Sequence, residues 1–287
     1  MPNKKDNLGD RMKRYEALTT STLLMENLPV YARIDGRCFH TFCRGLDKPF
    51  DLEFVEVMQY VCERLVRNTN AILGYVQSDE VSLAWLDPSK APFDGRLFKL
   101  QSILPAMATS IFTQMIYSSS DCHPEIEKRD KYTDLITRCQ KQDACFDCRV
   151  FQLPNEEELA NCFLWRENDA YRNSVSMLAQ AYFKHKELHG KSSEEMQEMY
   201  FQKTGKNYND LPDYLKRGTY YHRVMVKKKL DEKTLAKIPE NKRPENNEVI
   251  RSEIQEFHLP IMRKVENKVG VYFYNEKPIL WSEENAW

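Results

Sequence analysis

The 287-residue sequence contains no apolar run of about 20 residues, the length that an α-helix needs to cross a bilayer. Its first residues, MPNKKDNLGDRMKRYEA, are charged and lack the apolar core of a signal peptide. An excess of one charge is also missing, because 42 Lys and Arg stand against 43 Asp and Glu, for a formal net charge of −1. We therefore expect a cytoplasmic protein with no membrane segment, which would bind nucleic acid through local basic patches and not through a global positive field.

A cysteine framework is missing as well. The eight cysteines are scattered along the chain, and with no export signal they are expected to be reduced thiols. Cys145 and Cys148, with Cys139 upstream, have a spacing that occurs in zinc sites. No second matching pair follows, and the segment has the pattern of a strand, so a zinc site is not favoured.

The hydrophobic pattern predicts strands and helices in a definite order. Residues 30–35, 71–77, 81–86 and 145–152 are typical of strands, and residues 50–69 and 96–117 have the apolar spacing of helices. The order β-α-β-β-α-β is that of the ferredoxin-like fold, an antiparallel sheet with two helices on one face. We predict an α+β protein with a palm-like catalytic domain at 1–155 and a helical and β extension at 156–287, which packs on it as one functional unit.

The extension has a less regular pattern. It is predicted to be helical to about residue 188, with an interruption near Asn168 and Asp169, and residues 190–218 are polar, with a loop at GKNYND (205–210). Lys and Glu dominate residues 224–247, which indicates a flexible connection or an exposed insertion. The final stretch GVYFYNEKPILW (270–281) predicts a short β-hairpin.

Two adjacent carboxylates interrupt the stretch YVQSDEVSLAW (75–85), where a tight turn would ordinarily favour Gly or Asn. In the predicted sheet, strands one and three are central neighbours, so Asp35 at the end of strand one would lie beside Asp79. Two such acids repel unless a cation neutralises them, and Mg²⁺ suits hard oxygen ligands that share the ion with phosphates. Two metal ions held in this way can activate a hydroxyl and stabilise a leaving phosphate oxygen. The other interpretations are a solvated turn at 78–80 and an Asp35 bonded to its own loop.

Several stretches, in order along the chain, resemble motifs of the tRNA-histidine guanylyltransferase family. RIDGRCFH (33–40) is similar to the start of that family's "DGRxFH" segment, and YVQSDE (75–80) is similar to its "YGQSDE" signature. KPFD (48–51), FDCRV (146–150), LWR (164–166), YNDLP (208–212) and KRGT (216–219) match further family segments. The resemblance runs from about residue 30 to residue 220.

The resemblance implies a fold similar to a polymerase palm and a metal-dependent enzyme. Members of the family are reverse polymerases, which add nucleotides to the 5′ end of tRNA in the 3′-to-5′ direction. A 5′-monophosphate is first activated with ATP or GTP, and the 3′-hydroxyl of an incoming nucleoside triphosphate then attacks it. The implied cofactor is a pair of Mg²⁺ ions, and the implied assembly is a homotetramer.

Carried over by position, Asp35 and Asp79 would be the metal ligands, assisted by the Gly36 carbonyl, and Glu80 would support them as a third catalytic residue. The residues that the resemblance places against nucleotide are Gly36, Arg37, Cys38, Phe39, His40, Lys48, Ser78, Arg96 and Lys99. Arg96 and Lys99 would hold a triphosphate at the N-terminus of the second helix, where free N–H groups favour phosphate. The other interpretation is a solvated first turn for this pair, and an ordinary surface lysine for Lys48.

The chain departs from the family at one segment. Members that act on tRNA-histidine carry "HINNLYN", and the corresponding stretch here is YRNSVSM (171–177), with Tyr171 in place of the histidine and only Asn173 kept. The N-terminal LGDRMKRYE (8–16) also resembles bacterial and phage-type relatives, which are similar to template-dependent repair enzymes. We therefore expect repair of 5′-truncated tRNA, with addition of an unpaired guanylate to tRNA-histidine as the alternative. Tyr171 could also simply pack in a helix.

Candidate RNA contacts are Tyr171, Asn173, Lys216 and Arg217. Two other classes are open on the residues alone. A palm-type nucleotidyl cyclase would use the same two-metal arrangement without a polynucleotide surface. A non-catalytic RNA-binding module would use the exposed face of a ferredoxin-like sheet, and it would leave Asp35 and Asp79 unexplained.

Overall fold

A computed structural model describes residues 7–122, 126–141 and 144–281, and six strands of this part of the chain form one sheet. The strands are β1 (Val30–Gly36), β2 (Leu73–Gln77), β3 (Glu80–Trp85), β4 (Phe146–Gln152), β5 (Thr219–Lys229) and β6 (Glu248–Phe257). Their order across the sheet is β4-β1-β3-β2-β5-β6, and every neighbouring pair is antiparallel. The first four strands have the ferredoxin-like order, which confirms the predicted α+β class.

The described residues also contain eleven α-helices. They are α1 (Asn7–Thr20), α2 (Phe39–Phe42), α3 (Leu52–Thr69), α4 (Leu97–Cys122), α5 (Ile126–Gln140), α6 (Glu156–Gln180), α7 (His185–Leu188), α8 (Ser193–Thr204), α9 (Asp213–Arg217), α10 (Glu232–Ala236) and α11 (Lys268–Tyr274). None of the helices in the described part of the chain is long and apolar enough to cross a membrane.

The main core lies between the sheet and helices α3 and α4. Alternate residues of β1, Val30, Ala32 and Ile34, are fully buried against these helices, as the period of two in a strand requires. Asp51 caps the start of helix α3, because its carboxylate accepts a hydrogen bond from the Phe54 N–H at 3.0 Å. This layer fixes the end of β1 relative to the start of β3.

Helix α6 covers part of the opposite face. Its residue Phe163 packs edge-on against Tyr31 of β1, with ring centroids 5.4 Å apart. The predicted interruption near residues 168 and 169 is wrong, because α6 runs unbroken from 156 to 180. Asp169 is compatible with the helix since it pairs with Arg166 and Arg172, three residues before and after it.

The polar region 190–218 contains α8 and α9, and the loop predicted at 205–210 follows the end of α8. Two further predictions for the extension need correction. A flexible connection at 224–247 is wrong for residues 224–229, which form the outer half of β5 and pair with β6. Most of 224–247 is exposed, as the alternative of an exposed insertion predicts. The short β-hairpin predicted at 270–281 is wrong, because α11 occupies 268–274 and its residues 270–273 are buried. A short apolar run has the same composition in a buried strand and in a buried helix, so periodicity could not separate them.

Candidate active site

Asp35 and Asp79 meet where β1 ends and the β2–β3 turn begins. The Gly36 N–H donates a hydrogen bond to the Asp79 carbonyl at 3.1 Å, and Asp35 lies opposite Glu80 in the β1–β3 register. A Cβ on Gly36 would lie 2.9 Å from the Asp79 Oδ2 atom and 2.5 Å from the Phe39 ring. A glycine at position 36 is therefore what allows the Asp79 carboxylate to approach the end of β1.

The turn itself consists of two residues, Ser78 and Asp79, between the paired residues Gln77 and Glu80. Ser78 has φ 51°, in the left-handed region that residues other than glycine rarely adopt. Turns of this length match the twist of the strands that they join, so the position of Asp79 is set by the pairing of β2 with β3.

The local electrostatics favour a cation between these acids. Burial, followed by the charge of Asp35, raises the pKa of Asp79 to about 6. Burial, followed by the charge of Asp147, raises the pKa of Asp35. Arg149 only partly offsets this negative charge, with its Nη1 atom 3.9 Å from Asp35 Oδ2 and 3.2 Å from Asp147 Oδ1.

The donor set fits Mg²⁺. Within the described residues no group of three or more His, Cys, Asp and Glu is arranged to hold a metal ion. The donors here would be the carboxylates of Asp35 and Asp79 and the carbonyl of Gly36. Such a small set of hard oxygens suits an ion that keeps several waters and takes other ligands from phosphates.

Glu80 lies next to Asp79 but has different partners. Its Oε1 atom accepts a hydrogen bond from Arg166 Nε at 2.6 Å, and its Oε2 atom is 3.7 Å from Arg33 Nε. Burial is the largest effect on Glu80 and raises its pKa, against the lowering effect of Arg166. Its predicted catalytic role stays a prediction, and its contacts in the structure are those of a link between β3 and α6.

A cleft of about 620 Å³ opens beside the two aspartates. Of the residues predicted to contact nucleotide or metal, those that line it are Asp35, Gly36, Cys38, Phe39, His40, Lys48, Ser78 and Asp79. Its apolar wall includes Phe50, Phe54 and Met58, and its far side is formed by residues of α6 and α9, including Ser174, Met177 and Tyr214. A cleft lined by carboxylates and an apolar wall can bind a nucleoside triphosphate when a cation lies between its phosphates and the carboxylates.

Arg37 is exposed and does not line the cleft. The wall residues of α3, α6 and α9 were not found from the sequence. They come from segments far apart in the chain and carry no motif, so only the folded arrangement brings them together.

Arg96 and Lys99 lie away from the two aspartates in this chain, so they would not reach a triphosphate bound in the cleft, and their predicted contact with a triphosphate stays a prediction. Arg96 is half-exposed, with Asp94 at 3.7 Å, and the Lys99 ammonium lies 5.9 Å from the centre of the Phe93 ring. Neither residue lines the cleft.

The reason is the direction of α4. The Leu97 N–H at the start of α4 donates a hydrogen bond to the Thr22 carbonyl. Three residues after Thr22, the Met25 N–H donates to the side chain of Gln152, and Gln152 pairs with Val30 in the β1–β4 register. Val30 begins β1 and Asp35 is five residues further on, a separation of about 17 Å along a strand. Helix α4 therefore starts at the opposite end of the sheet from the carboxylates.

Three of the four candidate RNA contacts lie together. Tyr171, Lys216 and Arg217 line a cavity of about 110 Å³ with Arg263, whereas Asn173 is exposed on α6 and is not part of its lining. The Tyr171 hydroxyl accepts a hydrogen bond from Gln197 at 2.7 Å, and its ring packs edge-on against Tyr208. Tyr171 is thus a packed residue with a polar end that is already bonded.

A palm-like antiparallel sheet with two aspartates at the edge of a nucleoside-sized cleft is the arrangement of a nucleotidyltransferase. The model of the tRNAHis guanylyltransferase family matches residues 9–154. The tRNAHis guanylyltransferase of Schizosaccharomyces pombe is 28% identical over 228 residues, which cover 75% of this chain and 80% of that protein.

Two solved structures are also similar. A bacterial tRNAHis guanylyltransferase-like protein in complex with ATP aligns with a TM-score of 0.63 and 37% identity, over 75% of this chain and 87% of that one. One in complex with GTP aligns with a TM-score of 0.63 and 31% identity, over 90% and 95% of the two chains. The chain belongs to the tRNAHis guanylyltransferase family and is a nucleotidyltransferase, which confirms the resemblance read from its motifs. Enzymes of this family are generally metal-dependent.

Proposed function

We propose that this protein extends the 5′ end of tRNA in the 3′-to-5′ direction, with ATP, GTP or another nucleoside triphosphate bound in the cleft beside Asp35 and Asp79. The observation that carries the proposal is the meeting of these two aspartates at the edge of the cleft. Relatives of the same fold in complex with ATP and with GTP support a nucleotide as the ligand.

In the proposed mechanism, Asp35, Asp79 and the Gly36 carbonyl would hold two Mg²⁺ ions. Bound there, Mg²⁺ would neutralise phosphate charge and favour the deprotonated form of an attacking hydroxyl. Lys48 and His40, which line the same cleft, would contact phosphates, and Phe50, Phe54 and Met58 would hold the nucleoside away from water.

The reaction has two transfers. In the first, an oxygen of the RNA 5′-monophosphate attacks the α-phosphorus of ATP or GTP, and pyrophosphate leaves. In the second, the 3′-hydroxyl of the incoming triphosphate attacks the RNA 5′ phosphorus, so that a phosphodiester forms, the hydroxyl proton is released and the nucleoside monophosphate leaves. The role of the chain is to orient each attacking oxygen in line with its leaving group.

The finer part of the proposal is template-dependent repair of 5′-truncated tRNA. It is supported by Tyr171 at the position of the family's histidine, because a phenol bonded to Gln197 cannot supply an imidazole's proton or charge. Addition of an unpaired guanylate to tRNA-histidine fits the relatives equally well and is the second candidate function.

The experiment offers a tRNA lacking its first nucleotide and a full-length tRNA-histidine, at equal concentration, with Mg²⁺ and all four triphosphates. We expect labelled nucleotide to enter the truncated tRNA preferentially and to follow the opposing base. Preferential addition of guanylate to tRNA-histidine would establish the second candidate. Failure to label any RNA would overturn the proposed reaction and favour the cyclase or the non-catalytic RNA-binding module.

A further inference from the structure

On the sheet face that carries Asp35, the side chains of β4 are partly exposed to solvent. The side chains of Asp147, Arg149 and Phe151 follow one another along β4 at every second position, which places them on the same face. Trp165 of α6 extends this surface, which we call the β4 strip and define by these four residues. Asp147 and Arg149 are half-exposed, and Trp165 and Phe151 are 47% and 38% exposed.

The β4 strip begins at the predicted metal ligands. Asp147 pairs with Asp35 in the β1–β4 register, and the Arg149 guanidinium lies 3.9 Å from the Asp35 carboxylate. The nucleotide cleft lies on the other side of Asp35, since no residue of β4 lines it. Asp35 therefore lies between two open surfaces, the cleft and the β4 strip.

Trp165 is held in a fixed place although it is exposed. The Arg166 and Arg33 guanidinium groups lie 4.6 and 5.4 Å from the centre of its ring. Arg166 is itself fixed by Glu80 and by Asp169, at 2.6 and 3.0 Å. An indole that is positioned by two cations and still half-exposed can stack on a flat partner with little further loss of conformational freedom.

We infer that the β4 strip binds the RNA strand that carries the reacting 5′ phosphate, with Arg149 on a phosphate and Trp165 and Phe151 stacked on bases. This inference rests on the proposed function, which requires an RNA end at Asp35 together with a triphosphate in the cleft. Exposed aromatic rings with interspersed guanidinium groups are the usual surface for unpaired or terminal nucleotides. Arg149 is the half-exposed arginine of the strip and can turn from Asp147 to a phosphate, whereas Arg33 and Arg166 lie beside Glu80 and hold the Trp165 ring.

The test compares Trp165→Ala, Trp165→Phe and Arg149→Gln with a matched control, Phe201→Ala. Phe201 is also 47% exposed but lies on α8 and lines neither the strip nor the cleft. Affinity for a 5′-phosphorylated tRNA is measured by fluorescence anisotropy, and affinity for ATP is measured separately without RNA. We expect binding of RNA to weaken on the order of tenfold in Trp165→Ala, less in Trp165→Phe and not in Phe201→Ala. Arg149→Gln should reduce the slope of log affinity against log salt by about one.

A second readout is tryptophan fluorescence. Stacking of a base should quench Trp165, so RNA should quench the wild-type protein more than Trp165→Phe. Binding of ATP should be unchanged in all three Trp165 and Phe201 variants.

The inference is overturned if Trp165→Ala binds RNA with wild-type affinity, or if Phe201→Ala weakens binding equally. A change in the mass of Trp165→Ala in sedimentation, with RNA affinity kept, would instead assign the strip to a contact between protein chains and would also overturn it. Wild-type nucleotide addition is measured first, so that a failure of the proposed function is seen independently of these variants.

Discussion

The carboxylate of Glu80 accepts a hydrogen bond from Arg166 Nε at 2.6 Å and so joins β3 to α6 across 86 positions of sequence. Both side chains are about nine-tenths buried. The residue after the turn of the candidate active site thereby fixes the helix that forms the far wall of the cleft and carries Trp165.

We expect Glu80→Ala to lower the free energy of unfolding by roughly 3 kcal/mol, because removal of one partner leaves a buried guanidinium without its main partner. Denaturant unfolding followed by circular dichroism measures this change. The control is Lys191→Ala, which breaks an exposed pair with Glu195 and should cost no more than about 0.5 kcal/mol. Equal losses in the two variants would show that the Glu80–Arg166 pair is no stronger than a surface pair.

Asp35→Asn and Asp79→Asn should each reduce nucleotide addition by at least about a thousandfold, since loss of a metal ligand removes several kcal/mol of transition-state stabilisation. Both variants should keep a cooperative unfolding transition, because removal of one charge relieves the repulsion between the acids. Single-turnover rates and denaturant unfolding measure the two properties. Near-normal turnover in either variant would contradict the two-metal assignment.

The raised pKa of Asp79 predicts a pH dependence for the metal-free protein. A carboxyl whose pKa is higher in the folded state, about 6 here, stabilises the fold when it is protonated. Its contribution is therefore present below its unfolded pKa of about 4 and is lost as the pH rises through about 6. In EDTA, the free energy of unfolding of the wild-type protein minus that of Asp79→Asn should fall by up to about 3 kcal/mol as the pH rises from 4 to 7. A difference that is flat across this range would show that Asp79 titrates normally.

Gly36→Ala should reduce activity more than stability. The added Cβ would meet the Asp79 carboxylate and the Phe39 ring at distances shorter than any normal contact, so the carboxylate must shift. Gly190→Ala is the contrasting variant, because Gly190 has open space around it and φ +76°. It should lose about 1 kcal/mol of stability from backbone strain and keep full activity. Full activity of Gly36→Ala would show that the position of Asp79 does not depend on this contact.

The palm part of the fold could be predicted because each element has a clear period and the order of elements is diagnostic. The meeting of Asp35 and Asp79 followed from that order alone. The position of Arg96 and Lys99 could have been deduced too, since β3 starts beside the acids and the helix that follows it must begin at the other end of the sheet.

The extension could not be predicted to the same extent. The outer half of β5 is rich in lysine, and its strand structure comes from backbone pairing with β6, which composition does not reveal. Residues 270–273 are apolar and buried, and their helical state is decided by packing against α6 rather than by a period. The cleft wall formed by α6 and α9 depends on these tertiary contacts and was missed for the same reason.

The two-residue turn at Ser78 and Asp79 also limits how this enzyme can change in evolution. An inserted or deleted residue there would shift β3 by one position and send every one of its side chains to the opposite face of the sheet. Val81, Leu83 and Trp85 would together turn away from the core between the sheet and helices α3 and α4, and Glu80 would turn toward it. Substitutions can therefore retune the site one residue at a time, whereas a change of length in this turn would destroy the active site and the hydrophobic core in a single step.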